Sequence, residues 1–189
     1  MSKPLLRKTL LVRRQSLSVN EQVAAGNIIQ DTFMALPEYL VAGSVALYCA
    51  VNGEVSTGKV INHALSAAKA LFLPAVEGNT MLFRRISCPG DLVAGSFGIM
   101  QPDSGCLAAD PEDIELIVVP GVGFDLSGQR IGYGKGYYDR VLHRLEGSGR
   151  LTAFCYQFQL VDSLEGEKHD VIMDRIITEQ RVVNTALLK

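Results

Sequence analysis

The chain has 189 residues, 48% of them hydrophobic and 20% charged, the size and apolar content of one compact domain rather than of two large ones or of a disordered chain. Its 18 Lys and Arg against 20 Asp and Glu leave a formal net charge of −2, with no global positive field to hold a nucleic-acid backbone. Apolar runs such as 42–51 fall far short of the ~20 residues needed to cross a bilayer, so neither nucleic acid nor membrane is an expected partner. Lys3, Arg7, Lys8, Arg13 and Arg14 interleave with Leu and Val instead of preceding an apolar block, so no secretory signal is expected. Cys49, Cys88, Cys106 and Cys155 are widely spaced with no C-x-x-C pair, which argues against zinc or a redox dithiol and fits reduced thiols in the cytoplasm.

The pattern predicts a first helix over 3–16. A second is opened by Ser18, which can accept from the first amides while Glu21 reaches back. Ala25, Ile28, Ile29, Thr32, Phe33 and Leu36 give it an apolar face at helical spacing, and Pro37 is expected to stop it. A β-rich run over 44–51, a helix over 57–70 and a strand over 71–74 form the crossover unit of a parallel sheet. Residues 80–86 read as another strand after a turn at Gly78-Asn79, and 89–113 as mostly loop. The near-continuous apolar run 114–119 suits a strand buried on both faces. A long loop leads to a helix over 137–145, a strand over 151–156, and short apolar pieces at 176–177 and 182–183. The expected architecture is a single α/β domain over 1–189, with a mostly parallel sheet flanked by helices. A helical segment 3–36 packs on an α/β core 44–183, and a ligand crevice opens at the carboxyl ends of the strands.

Residues 120–140 carry the densest chemical information. Gly132, Gly134 and Gly136 alternate and remove the Cβ atoms that would keep a backbone from a ligand, and amides at the start of the next helix favour an anion. Lys135 and Arg130 can neutralise phosphate oxygens, and Asp139 can hold a hard divalent ion. Two known phosphate motifs do not fit. A Walker loop requires Ser or Thr after its Gly-Lys, where this chain has Gly136, and a dinucleotide fingerprint puts its glycines directly after a strand. By pattern alone, a phosphate cradle and a loop ending in a packed aromatic cluster stand on an equal footing. Elsewhere the plainer readings lead: Glu54 as turn chemistry after Asn52-Gly53, Met81 and Phe83 as the buried face of a strand, Cys49 as a small hydrophobe, Lys3 and Arg7 as a solvated helical pair. His63, His143 and His169 have no ligand spacing.

The run Gly123-Phe-Asp125 followed by Gly128-x-Arg130-Ile-Gly132-x-Gly134-x-Gly136-Tyr-Tyr-Asp139-Arg140 resembles the signature of the 5-formyltetrahydrofolate cyclo-ligase, or methenyltetrahydrofolate synthetase, family. Further landmarks of that family occur in order: Lys3-x-x-x-Arg7, Asn52-Gly53-Glu54-Val55-Ser56-Thr57, Leu73-Pro74, Met81-x-Phe83-x-x-Ile86, Gly98-Ile99, Gln101-Pro102, Tyr156-x-x-Gln159 and His169-Asp170-x-x-x-Asp174 with Thr178-Glu179. The resemblance implies a three-layer α/β/α fold similar to the sugar-phosphate isomerase and CoA-transferase group. It also implies an ATP- and Mg2+-dependent ligase that converts 5-formyltetrahydrofolate to 5,10-methenyltetrahydrofolate, with a polyglutamylated form of that folate left open as a substrate. A cytoplasmic monomer in one-carbon metabolism is expected.

Residue by residue, the resemblance puts Lys3, Arg7 and the run Arg130, Ile131, Gly132, Tyr133, Gly134, Lys135, Gly136, Tyr137 and Tyr138 on ATP, with Lys135, Arg130 and Tyr137 catalytic. Cys49, Glu54, Met81, Phe83, Tyr133, Gly134, Lys135, Gly136 and Tyr137 would meet the folate, Glu54 at the donor edge of the pterin. Asp139 and Asp174 would share the Mg2+. Departures from the family pattern are Met100 where Pro often stands, Phe97 where Trp is common, and Tyr133 where some members have Arg. A folate- and nucleotide-binding module without turnover, and a phosphosugar isomerase on the same fold, remain as alternatives.

Overall fold

A computed structural model describes residues 2–95, 98–167 and 169–185; Phe97 lies outside the described residues. The chain opens with helix α1 (Lys3–Gln15) and then α2 (Val19–Met34), whose first turn is closed by the expected reciprocal bonds between Ser18 and Glu21. Pro37 stops α2 but also begins a short helix, α3 (Pro37–Val41), because the first position of a helix needs no amide donor. The buried stripe of α2 is Gly26, Ile29, Gln30 and Phe33, and Ile28 faces outward, half exposed.

Strand β1 (Ser44–Ala46) leads to α4 (Gly58–Ser66) and β2 (Ala70–Glu77), and this crossover makes β1 and β2 parallel as expected. The predicted run 44–51 is shorter as a strand. After the Leu47 amide bonds the Phe72 carbonyl, the chain leaves the ladder and turns at Asn52 and Gly53, both at positive φ (51° and 74°). The amide end of α4 is satisfied from a distance: buried Gln30 Oε1 accepts from the Lys59 amide at 2.9 Å.

Strand β3 (Thr80–Ile86) pairs antiparallel to β2, and the stretch read as loop contains the small strands β4 (Leu92–Ala94), β5 (Met100–Pro102) and β6 (Ala108–Ala109). Then come β7 (Leu116–Val119), the short strands β8 (Gly123–Asp125) and β9 (Arg130–Ile131), and helix α5 (Tyr137–Leu142). The chain continues through β10 (Leu151–Phe154), β11 (Leu160–Val161), β12 (Arg175–Ile177) and β13 (Val182–Asn184).

The main sheet runs β13-β12-β10-β7-β1-β2-β3-β6, with β2, β1, β7, β10 and β12 mutually parallel and antiparallel strands at both margins. Side chains alternate between two cores. Val45, Leu71, Leu73, Leu116 and Val118 pack against α2, α3 and α4, while Ala46, Phe72, Ile117, Val119 and Ala153 pack against α5 and the chain around Val171 and Met173. Burial of both faces explains the unbroken apolar run of β7.

The loop after β8 is held by buried Asp125, whose Oδ1 accepts from the Ser127 and Gln129 amides and whose Oδ2 accepts from the Leu164 amide. Within it Gly128 has φ 91°, and a Cβ there would stand 2.4 Å from the Met173 carbonyl oxygen. Gly128→Ala is therefore expected to cost roughly 2–3 kcal/mol, since a backbone atom must move and the conformation is strained. The midpoint of urea unfolding measures it; an unchanged midpoint would mean the loop absorbs the methyl group.

Candidate functional site

The connection from β1 goes one way along the sheet, to β2, while the next parallel neighbour on the other side is β7, so the topology switches direction between β1 and β7. A crevice outside the carboxyl ends of the strands at such a point is where open α/β sheets bind ligands. A cavity of about 550 Å3 occupies it, a volume suited to small-molecule ligands. The chain beyond β1 contributes Tyr48, Cys49 and Glu54, the end of β7 contributes Pro120, and β2 with β3 contribute Pro74, Val76 and Met81.

Helix α1 closes one side. Lys3, Arg7, Leu10 and Arg14 are spaced four, three and four apart and form one stripe along it. Leu10 anchors the stripe between Val122 and Ile131, and Lys3 and Arg7 face the cavity. Arg7 Nε donates to the Gly132 carbonyl at 2.8 Å, which ties the helix to the glycine run. Lys3 Nζ lies 3.2 Å from Glu167 Oε1 and 3.0 Å from Asp170 Oδ2. Burial opposes the Lys3 charge, but the hydrogen bonds to Asp170 and Glu167 outweigh it and raise its pKa. Burial likewise opposes ionisation of Asp170, and the Glu167 amide together with Lys3 holds its pKa below the ordinary value.

The run Arg130 to Asp139 forms the floor, every residue of it lining the cavity. Gly134 and Gly136 have φ 92° and 64°, backbone that side-chain-bearing residues rarely adopt, which accounts for the glycines by conformation as well as by access. Arg130 Nη2 pairs with Asp139 Oδ1 at 2.5 Å, and Arg130 Nη1 reaches the Pro120 carbonyl at 3.4 Å. The Tyr137 hydroxyl donates to the Gly78 carbonyl at 3.4 Å, and Arg140 lies 5.1 Å over its ring. Tyr138 is pushed to a high pKa by burial and stays a neutral phenol in the wall.

Glu54, also in the cavity wall, closes its own turn: its Oε2 accepts from the Val51 amide at 3.0 Å. Its Oε1 accepts from the Tyr133 hydroxyl at 3.1 Å. Desolvation raises the Glu54 pKa, partly offset by the Val51 amide, the charge of Arg14 and the Tyr133 hydrogen bond. Burial also raises the Cys49 thiol, which makes it a wall residue rather than a nucleophile.

Lys3, Arg7, Cys49, Glu54, Met81 and the whole Arg130–Tyr138 run thus meet around one cavity. Two expected residues do not. Phe83 is fully buried, edge-on to Tyr138 at 6.4 Å, because β3 runs antiparallel to β2 and each step from Met81 toward Phe83 leads away from the ligand end. Asp174 is not in the cavity wall either: its Oδ2 accepts from the amide of Leu151, the first residue of β10, at the amino end of the sheet. Asp139 and Asp174 are therefore not a pair. Asp170 lines the cavity together with Asp139, and the amide of the next residue, Val171, donates to Asp139 Oδ1 at 3.3 Å. Asp170 and Asp174 sit four apart in one motif, and nothing in the sequence distinguishes which of them turns toward the site. Arg14 was equally hidden; its signal was the stripe it shares with Lys3 and Arg7.

Among known proteins, a family model described as the 5-formyltetrahydrofolate cyclo-ligase family matches residues 1–179. The chain is 27% identical over 175 residues to the 5-formyltetrahydrofolate cyclo-ligase of Escherichia coli K12, covering 90% of this chain and 96% of that one. It is 28% identical to that of Mycolicibacterium smegmatis, with 95% of each covered. The NMR structure of Aquifex aeolicus 5,10-methenyltetrahydrofolate synthetase superposes with a TM-score of 0.88 at 39% identity, covering 98% of this chain and 93% of that one.

Proposed function

This chain belongs to the 5-formyltetrahydrofolate cyclo-ligase family, and on that premise we propose that it converts 5-formyltetrahydrofolate and ATP to 5,10-methenyltetrahydrofolate, ADP and phosphate. The observation that carries the reading is one cavity lined by Lys3, Arg7, the glycine run and the partly buried carboxylate of Glu54. The N5-formyl oxygen cannot leave as oxide. In the proposed reaction that oxygen attacks the γ-phosphorus and ADP departs; N10 then attacks the formyl carbon, loses its proton, and the C–O bond breaks to release phosphate. Positioning and charge stabilisation do most of the work in phosphoryl transfer, and enforced proximity does it in ring closure.

In this reading Lys3 and Arg7 take the polyphosphate, with the backbone from Ile131 to Gly136 lying against it. Lys135 and Arg130 neutralise the transferring group, and Tyr137 covers the reacting centre. Glu54 accepts from the pterin donor edge, and Cys49 and Met81 line its apolar side. Asp139 and Asp170 suit Mg2+. Among the described residues, the hydrogen bonds of each converge on one oxygen, Oδ1 of Asp139 and Oδ2 of Asp170, so each keeps a second oxygen for a metal. No group of three or more metal-ligating side chains exists among the described residues, a donor set that fits an ion which retains waters and takes phosphate oxygens. When bound, Mg2+ spreads the charge of the phosphoryl group in flight.

No helix among the described residues is long and apolar enough to cross a membrane. We read the protein as a cytoplasmic monomer that acts on the free or polyglutamylated folate. The test is an absorbance assay of purified protein with 5-formyltetrahydrofolate and Mg2+, following the methenyl product band. Growth of the band only with ATP is the expected result. Folate binding with no product would make the chain a binding module instead.

A further inference from the structure

Arg14 is 1% exposed, yet among the described residues it makes no direct salt bridge. An uncompensated buried cation is expensive, so its partners are informative. Nε donates to the Asn52 carbonyl at 3.1 Å and Nη1 to the Gly121 carbonyl at 3.2 Å, the first in the turn that carries Glu54 and the second just beyond β7. Nη2 donates to the Tyr133 hydroxyl, and that hydroxyl donates onward to Glu54 Oε1. Buried cation and partly buried carboxylate are thus joined by a single phenol, in a chain whose members polarise one another.

We propose that Tyr133 and Arg14 are positioning residues for the folate end of the site, holding the Glu54 carboxylate toward the ligand without themselves contacting the pterin. The proposal rests on the reading of Glu54 as the pterin acceptor. Its geometric basis is division of labour on one carboxylate. Val51 fixes Oε2 through the backbone, Tyr133 fixes Oε1, and Arg14 fixes Tyr133 and the Asn52 turn together. Removing the hydroxyl frees Oε1 to rotate and leaves one guanidinium donor unpaired, while the ring that lines the cavity remains.

Equilibrium titrations of Tyr133→Phe, Glu54→Gln and the double variant with 5-formyltetrahydrofolate, and separately with ATP and Mg2+, test this. Tyr133→Phe is expected to weaken folate binding roughly tenfold, the worth of one hydrogen bond to a charged group, and to change ATP binding less than about twofold. In the Glu54→Gln background the same substitution is expected to have little further effect, because the group it acts through is already altered. Additive losses would mean Tyr133 meets the ligand directly, and equal losses for folate and ATP would mean a general structural role; either overturns the proposal. Glu54→Gln with undiminished folate affinity would overturn the underlying reading of Glu54 as well. If Glu54→Gln weakens folate binding but Tyr133→Phe does not, the proposal alone fails.

Discussion

Asp139→Asn is expected to lower kcat/KM at least roughly 100-fold, the scale of losing one group that stabilises charge in the transition state. Two consequences of the substitution combine. A proposed metal oxygen is replaced by an amide, and Arg130, whose side chain is only 5% exposed, loses the anion it pairs with at 2.5 Å. Raising Mg2+ separates them. Partial recovery at high Mg2+ identifies Asp139 as a metal ligand, whereas a loss that is flat in Mg2+ assigns its effect to the position of Arg130. Asp170→Asn is expected to raise the Mg2+ requirement in the same way. Asp174→Asn is the control: it alters the acceptor for the buried Leu151 amide, so stability falls while Mg2+ dependence stays as it was. Wild-type turnover of Asp139→Asn at limiting Mg2+ would end the assignment.

The second large effect is on stability. Arg14→Ala is expected to cost about 3–5 kcal/mol, because it empties a fully buried site and leaves the Asn52 and Gly121 carbonyls and the Tyr133 hydroxyl short of a donor. For a chain of this length that corresponds to a fall in Tm of roughly 10 °C, readable by calorimetry. Arg13, its neighbour, lies on the exposed side with its guanidinium 4.7 Å from the Phe158 ring, and Arg13→Ala is expected to cost at most about 1 kcal/mol. Equal losses at 13 and 14 would contradict the stripe that buries Arg14 and exposes Arg13.

Much of the fold was legible because the local rules agreed with one another. Ser18 and Glu21 cap α2 as their spacing requires, and the β1-α4-β2 crossover follows from strand, helix and strand in succession. The continuous apolar run at β7 reports burial on both faces, since neither face has polar alternation. Misreadings cluster where a long-range contact overrides a local preference. Ile28 fits a helical apolar face but points outward, because the sheet meets α2 along Ile29 and Phe33. Pro37 reads as a stop and is also a start, since the chain can re-enter a helix in its first turn, where no amide donor is needed.

The site divides the same way. The sequence alone determined the glycine run, which depends on residue type and short spacing, and the family resemblance, which implied that Lys3, Arg7, Glu54 and Arg130–Tyr138 belong to one site. Only the tertiary structure decided that Asp170 rather than Asp174 shares the cavity with Asp139, that Phe83 lies beneath the wall, and that Arg14 reaches Glu54 through Tyr133. Those outcomes depend on which end of the sheet a strand points to and on which carbonyls a buried guanidinium meets. The guanidinium of Arg14 meets partners 38 to 119 positions away, which no local pattern contains.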